Sequence, residues 1–468
     1  MLKTTTRAAY FALALLTLVM SLSFAACTGK QPEAAPTAQP TAEAVNTAGA
    51  TESAPEGTEP VATVDPNYHY LTYEEVYNPE TDFDNGLGHA YTTILSTEDA
   101  YYFPGTLPGY LYYYDKLTGE GGVLCPKPEC VHDSIRNNKD CCGLICADNG
   151  TTVNLYNGKI YYMTYDGTDR HHYLYRIDLD GTRREKICKM DGGSHYEPQH
   201  AYIHRGKLYG VQWFSQVIDA EPFHTWNVTC WNIETGEYKV VCEEENMISE
   251  PSLFFFGKYV FICVSYTESE MTEDYEMIYG DTTIKVFRYD TETERFDTLL
   301  NVKGPDYCSG RYMIAVAAEN KIYIAPVSVS GSSSIYLVEN GELKELFKVD
   351  APLTTLFADK IVVSKYVNLG SKEISELRWH FTVMDYQGSV LWDETVGFGL
   401  LFGISDRISN VSLVGVYSDG DAVFAAYMMR LDVETSEEVS SGRTCLVKYE
   451  LVDGKLVETL IAVQNWVG

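Results

Sequence analysis

The chain has 468 residues, with 66 Asp and Glu against 35 Lys and Arg and a formal charge of −31. That balance excludes nucleic acid as a partner, because its phosphates would be repelled rather than neutralised. With 45% apolar and 22% charged residues, the bulk of the chain can bury a core and is not disordered as a whole.

Lys3 and Arg7 precede an apolar run from Ala8 to Met20, which leads to Phe24-Ala25-Ala26-Cys27. A charged start, an apolar stretch and small residues before a cut read as a secretory signal over 1–26. The segment Leu22-Ser23-Phe24-Ala25-Ala26-Cys27 resembles the lipobox of bacterial lipoproteins, with Phe24 where an aliphatic residue is usual. The resemblance implies lipidation at Cys27 and an extracytoplasmic protein held to the bacterial cell membrane by its lipid. An ordinary secretory signal with an incidental cysteine, or an uncleaved anchor, is the alternative. No other apolar run is long enough to span a bilayer. Residues 27–65 are almost entirely Thr, Ala, Pro, Glu and Gly. Such a stretch cannot offset the entropy of folding and reads as an extended tether. Neither segment carries much of the negative charge, so the domain at 66–468 is acidic in its own right, which favours cationic partners or simple solubility.

From about residue 88 one pattern recurs. An apolar strand, a short turn, a β-branched and aromatic strand, a polar loop and a third strand ending in an acid are followed by a short fourth strand. The second copy is the clearest: Asn157-Gly158-Lys159 turns into Ile160-Tyr161-Tyr162-Met163, and Leu174-Tyr175-Arg176-Ile177 runs into Asp178-Leu179-Asp180-Gly181. The third-strand ending returns at 114–119, 232–236, 289–293, 338–341, 384–388 and 451–454, giving with the second copy seven endings whose last residues are spaced by 47 to 66. Four-stranded sheets stacked radially protect their edges, so the expected fold is an all-β, seven-bladed β-propeller. Six or eight blades and a pair of sandwiches are the alternatives. The wording Gly-Lys-Ile-Tyr-Tyr followed by Leu-Tyr-Arg-Ile-Asp-Leu-Asp-Gly resembles the YWTD repeats of propellers related to the low-density-lipoprotein receptor and those of TolB-like propellers. The whole chain resembles the cell-surface propeller lipoproteins of Firmicutes, a likeness that implies fold and not activity.

Five cysteines and a histidine crowd residues 125–146: Cys125, Cys130, His132, Cys141, Cys142 and Cys146. In an exported protein clustered cysteines read first as disulfide staples for a long loop, although five leaves one thiol over. A single zinc ion held by three thiolates and His132 is the alternative, although the spacing is not the usual Cys-x2-Cys. Cys125, Cys188 and Cys242 end the fourth strands of successive copies and are too far apart to pair with one another.

The insert joins the outer strand of one blade to the inner strand of the next. The following connection carries His195, Tyr196, Glu197, His200 and His204. These two loops are expected side by side on one recognition face. No Gly-x-Ser-x-Gly, Walker or His-Glu-x-x-His motif is present, so no catalytic residue is assigned. The sequence therefore reads as a tethered binding module for a protein or glycan, without a cofactor unless the insert holds zinc. The alternative is an envelope enzyme, a metal-assisted hydrolase or lyase on polysaccharide, using His195, Glu197 and His200.

Overall fold

The computed structural model describes residues 69–468 apart from 90–91, 106–108, 133–137, 139, 146–151, 167–170, 191–199, 219–220, 246–249, 272–276, 305–311, 328–330, 352, 368–375, 406, 432–441 and 466–468. Alternating apolar and polar residues place almost every segment in antiparallel strands. These form seven sheets, each built from four consecutive strands in simple meander order. Blade 1 comprises Leu95–Ser96, Ala100–Pro104, Gly109–Asp115 and Gly121–Val123. Blade 2 comprises Val153–Tyr156, Lys159–Asp166, His171–Asp178 and Glu185–Lys189. Blades 3 to 7 span 200–245, 252–303, 312–349, 353–396 and 408–465. The fold is a seven-bladed β-propeller.

The repeated endings read from the sequence are the turns between third and fourth strands. Asp115 Oδ1 accepts the amides of Leu117 and Thr118, and Asp290 Oδ1 those of Glu292 and Thr293. Asn232 does the same for Glu234 and Thr235. A short side-chain acceptor at this place closes the turn, which is why an acid or amide recurs there. At four other tight turns, 157–158, 205–206, 340–341 and 453–454, both central residues have positive φ, as at Asn157 (49°) and Gly158 (67°), the geometry that matches strand twist.

Apolar clusters fill every junction between blades. Separate clusters lie between blades 1 and 2, 2 and 3, 3 and 4, 6 and 7, and 7 and 1, and one large cluster runs through blades 4, 5 and 6. No strand is shared between blades 7 and 1. Their seam is closed by side chains, with Phe424 edge-on to Tyr101 (centroids 5.1 Å) and Ser96 Oγ donating to Asp419 Oδ2 (2.8 Å). First strands of neighbouring blades lie in separate sheets, and polar side chains link them. Asn154 donates to Ala201 O (3.0 Å) and accepts from Ile203 N (2.7 Å). Among the described residues no helix is long and apolar enough to cross a membrane.

Candidate functional site

The described residues of 69–94 form no blade strand. They cross the ring at the end that carries the turns between first and second strands. A single helical turn, Tyr73–Val76, is closed by a Thr72/Glu75 capping box and lies near blades 4 and 5. The segment then docks on one turn after another: Asn157 N donates to Glu80 O (2.8 Å), Arg205 N to Thr81 O (2.7 Å) and Ser418 N to Gly86 O (2.9 Å). Phe83 inserts edge-on to Tyr202 (4.8 Å) and Phe255 (5.2 Å). The Asn85 side chain pairs with both backbone groups of Phe255, at 2.9 and 2.7 Å. A Cβ on Gly88 would overlap the Phe83 ring, and one on Gly86 would lie 2.6 Å from Ser418 O, so close approach fixes both glycines. A short hairpin, Gly88–His89 with Thr92–Thr93, follows, and Thr93 Oγ1 donates to Val153 O (2.7 Å). The segment is a plug in the turn-side mouth of the channel.

His204 serves this plug. Its Nδ1 accepts from Phe83 N (3.2 Å), which leaves the proton on Nε2 facing Gly257 O (2.7 Å). Burial drives its pKa down to about 4. Asp84 is shifted the other way, to about 6, by burial, with Asp419 adding to the rise and the amides of Gly86 and Leu87 opposing it. The signs are opposite. His204 is neutral in the fold, so its contribution is fully present above pH 6.5 and is lost as pH falls toward 4, where the unfolded chain takes the proton. Asp84 holds its proton longer when folded, so it favours folding at low pH and loses that advantage as pH rises through about 6. Each is worth about 3 kcal/mol, so between pH 4 and 6 their opposite pH dependences nearly cancel. Asp84→Asn is expected to raise stability at pH 8 and to expose the His204 loss below pH 6. Urea midpoints at pH 4.5 and 8 test this, and a midpoint difference unchanged by the substitution would contradict it.

Beside the plug lies a cleft of about 660 Å³ between the segment and blades 1 and 2. Phe83, Ile94, Leu95 and Leu155 form its apolar wall, and Glu80, Asp82, Asp84 and Glu98 bring carboxylates, with no Lys or Arg among the described lining residues. Asp82 is already bridged by Arg205 Nε (2.8 Å), whereas the Glu80 and Glu98 side chains are exposed.

The cysteine insert sits at the other end of the inner strands. Its strand Leu144–Ile145 extends blade 1 by pairing with Gly109 and Tyr110. Pro126 and Pro128 stiffen the first loop, Lys127 Nζ donates to Asp140 O (2.6 Å), and Gly143 lies where a Cβ would be 2.6 Å from Leu124 O. Cys125, Cys130, His132 and Cys141 converge, with one donor atom from each all within 4.8 Å of one another. No disulfide joins any two of the described cysteines. Burial raises the Cys125 thiol, but His132 and the amides of Lys127 and Cys142 outweigh it and bring the pKa down to about 6. Burial and the neighbouring Cys125 push Cys141 up to about 12, and Cys130 is raised for the same two reasons. One thiolate is thus favoured, and further thiolates beside it are opposed unless a cation joins them.

The vicinal pair divides. Cys141 is buried over blade 1 with Tyr110 and Leu144, while Cys142 packs into the junction of blades 1 and 2. Cys142 is therefore not part of the cluster. Cys27, Cys146, His195, Tyr196 and Glu197 lie outside the described residues. His200 and His204 do not present a recognition surface, a correction to the expectation from sequence. Both belong to the inner strand His200–His204 of blade 3 and are 2% and 1% exposed. Alternation turns them, with Tyr202, toward blade 4. His200 Nε2 lies 3.0 Å from Glu250 Oε1 near the insert end, and His204 lies at the turn end, so the two are not one site. This also removes His200 as an accessible group for polysaccharide hydrolysis.

No protein-family model matches the chain, and no curated protein matches it. Solved structures to which it is similar include TolB from Acinetobacter baumannii, at 14% identity over 80% of each chain with a TM-score of 0.30. The β-propeller domain of the Trilobed protease from Pyrococcus furiosus is 13% identical over 66% of this chain and 96% of that one, TM-score 0.35. Pyrococcus horikoshii acylaminoacyl peptidase is 12% identical over 66% of this chain and 51% of that one, TM-score 0.34. At these scores the likeness carries no argument about activity or location. The fold rests on the strand order described above.

Proposed function

We propose that this protein is an extracytoplasmic β-propeller, lipid-anchored through Cys27, that works as a binding module for a protein partner presenting a basic segment. The observation that carries the reading is the cleft beside the plug, which joins an apolar wall to the exposed carboxylates of Glu80 and Glu98, with no Lys or Arg among its described lining residues. A Lys or Arg side chain has the matching form, an apolar stem with a cationic head. The acidic balance of the chain favours encounter with such a partner. The lipobox and the resemblance to Firmicutes propeller lipoproteins support the location. The absence of a specific catalytic motif favours binding over chemistry.

A lysine-rich hexapeptide, titrated against the whole detergent-solubilised protein, tests the reading. Binding is expected to weaken at least about tenfold in Glu80→Gln/Glu98→Gln and to strengthen at low salt. Peptide binding indifferent to both changes, or a glycan-array signal in place of it, would overturn the proposal.

A further inference from the structure

We infer that Cys125, Cys130, His132 and Cys141 hold one zinc ion in a closed tetrahedral site that fixes the insert against blade 1. Zinc bound to three sulfurs at about 2.3 Å and one nitrogen at about 2.0 Å needs donor atoms between roughly 3.5 and 3.8 Å apart. Four donors all within 4.8 Å of one another, drawn from three turns of the chain, are close to that arrangement. His132 takes a positive φ of 55°, a conformation that costs a non-glycine residue free energy, and it brings the ring into the cluster and edge-on to Tyr110 at 5.4 Å. Nε2 of that ring is buried without a hydrogen-bond partner, a condition that is rare unless something else satisfies the nitrogen.

The surroundings suit thiolates. The amide of Lys127 points to the sulfur of Cys125, and that of Gly143 to the sulfur of Cys141, the same two-residue step at both cysteines. Outer hydrogen bonds of this kind orient ligands and share the negative charge. Cys130 N donates to Lys127 O (3.2 Å) and Cys141 N to Asn138 O (2.9 Å), so each cysteine is held by a tight turn of its own. With four protein donors no position is left for water or substrate, which makes the role structural rather than catalytic. The ion would take over the stapling expected of disulfides, and the cluster would leave out Cys142, whose side chain packs in the junction of blades 1 and 2.

The test uses the whole protein, purified untagged in detergent, with elemental analysis and cobalt substitution. About one zinc per chain is expected, and cobalt should give the intense visible bands of a tetrahedral thiolate site. Cys130→Ser and His132→Ala should each lower zinc affinity at least about tenfold. Cys142→Ser should keep it. Should the two ligand variants fail to fold, wild-type protein stripped with a chelator remains informative. Amide exchange at Leu144 and Ile145 should then rise while the other blades keep their protection. Metal-free protein with a mapped disulfide between any two of the four residues would overturn the inference. Zinc lost equally from Cys142→Ser would do the same.

Discussion

Phe83→Ala is expected to release the plug from the channel while leaving the blades folded. The ring is 8% exposed and meets Tyr202 and Phe255 edge-on, so its removal leaves a cavity at the point where the segment enters the junction of blades 3 and 4. Truncations of this kind cost about 3–5 kcal/mol. Apart from one bridge between Thr72 and Ala318, the described backbone of the segment is joined to the blades by scattered single hydrogen bonds and not by a ladder, so the loss should appear as local opening. The reporter is the amide of Phe255, which donates to Asn85 Oδ1. Its exchange is expected to accelerate by about two orders of magnitude or more, since each factor of ten corresponds to about 1.4 kcal/mol. Unchanged exchange there, with lower global stability, would mean that plug and ring open together.

The second large effect is expected at the seam of the ring. Propeller blades 7 and 1 share no strand, so the closure depends on packing between complete sheets. Phe424 is fully buried in that junction. Phe424→Ala should cost about 3–5 kcal/mol, and a double-mutant cycle with Tyr101→Ala should give a coupling of about 0.5–1.5 kcal/mol for the edge-on pair. Phe381→Ala, equally buried between blades 6 and 7, is the control. Both variants should lose stability, but only Phe424→Ala should speed exchange of the Ser418 amide, which donates to Gly86 O beside the seam. A loss below about 1 kcal/mol at Phe424 would show that the seam is held by something other than this contact.

Much of the fold was legible because its rules are local. An acid or amide that caps a turn, an Asn-Gly pair with two positive φ angles and alternation of apolar residues all act within a few positions. Seven such endings were enough to count seven blades. The cysteine cluster was legible as a crowd but not as a set of partners. The choice between Cys141 and Cys142 depends on which way a loop folds over blade 1. The plug left almost no trace, because Phe83 meets residues more than a hundred positions away and no period marks it. A lone aromatic between Asp82 and Asp84 in a polar stretch is the signal that could have been noticed. His204 misled for a related reason. It directly precedes the Arg205-Gly206-Lys207 turn, but strand alternation and the arrival of the plug bury it.

By itself the sequence determined the strand-and-turn repeat and the number of blades, since these follow from short-range backbone preference. Only the tertiary structure decided that residues 69–94 fill one mouth of the channel, that His200 and His204 lie at opposite ends of one buried strand, and that three particular thiols meet one imidazole. Those outcomes depend on which surfaces the closed ring brings into contact, and packing between distant segments leaves no local pattern in the chain.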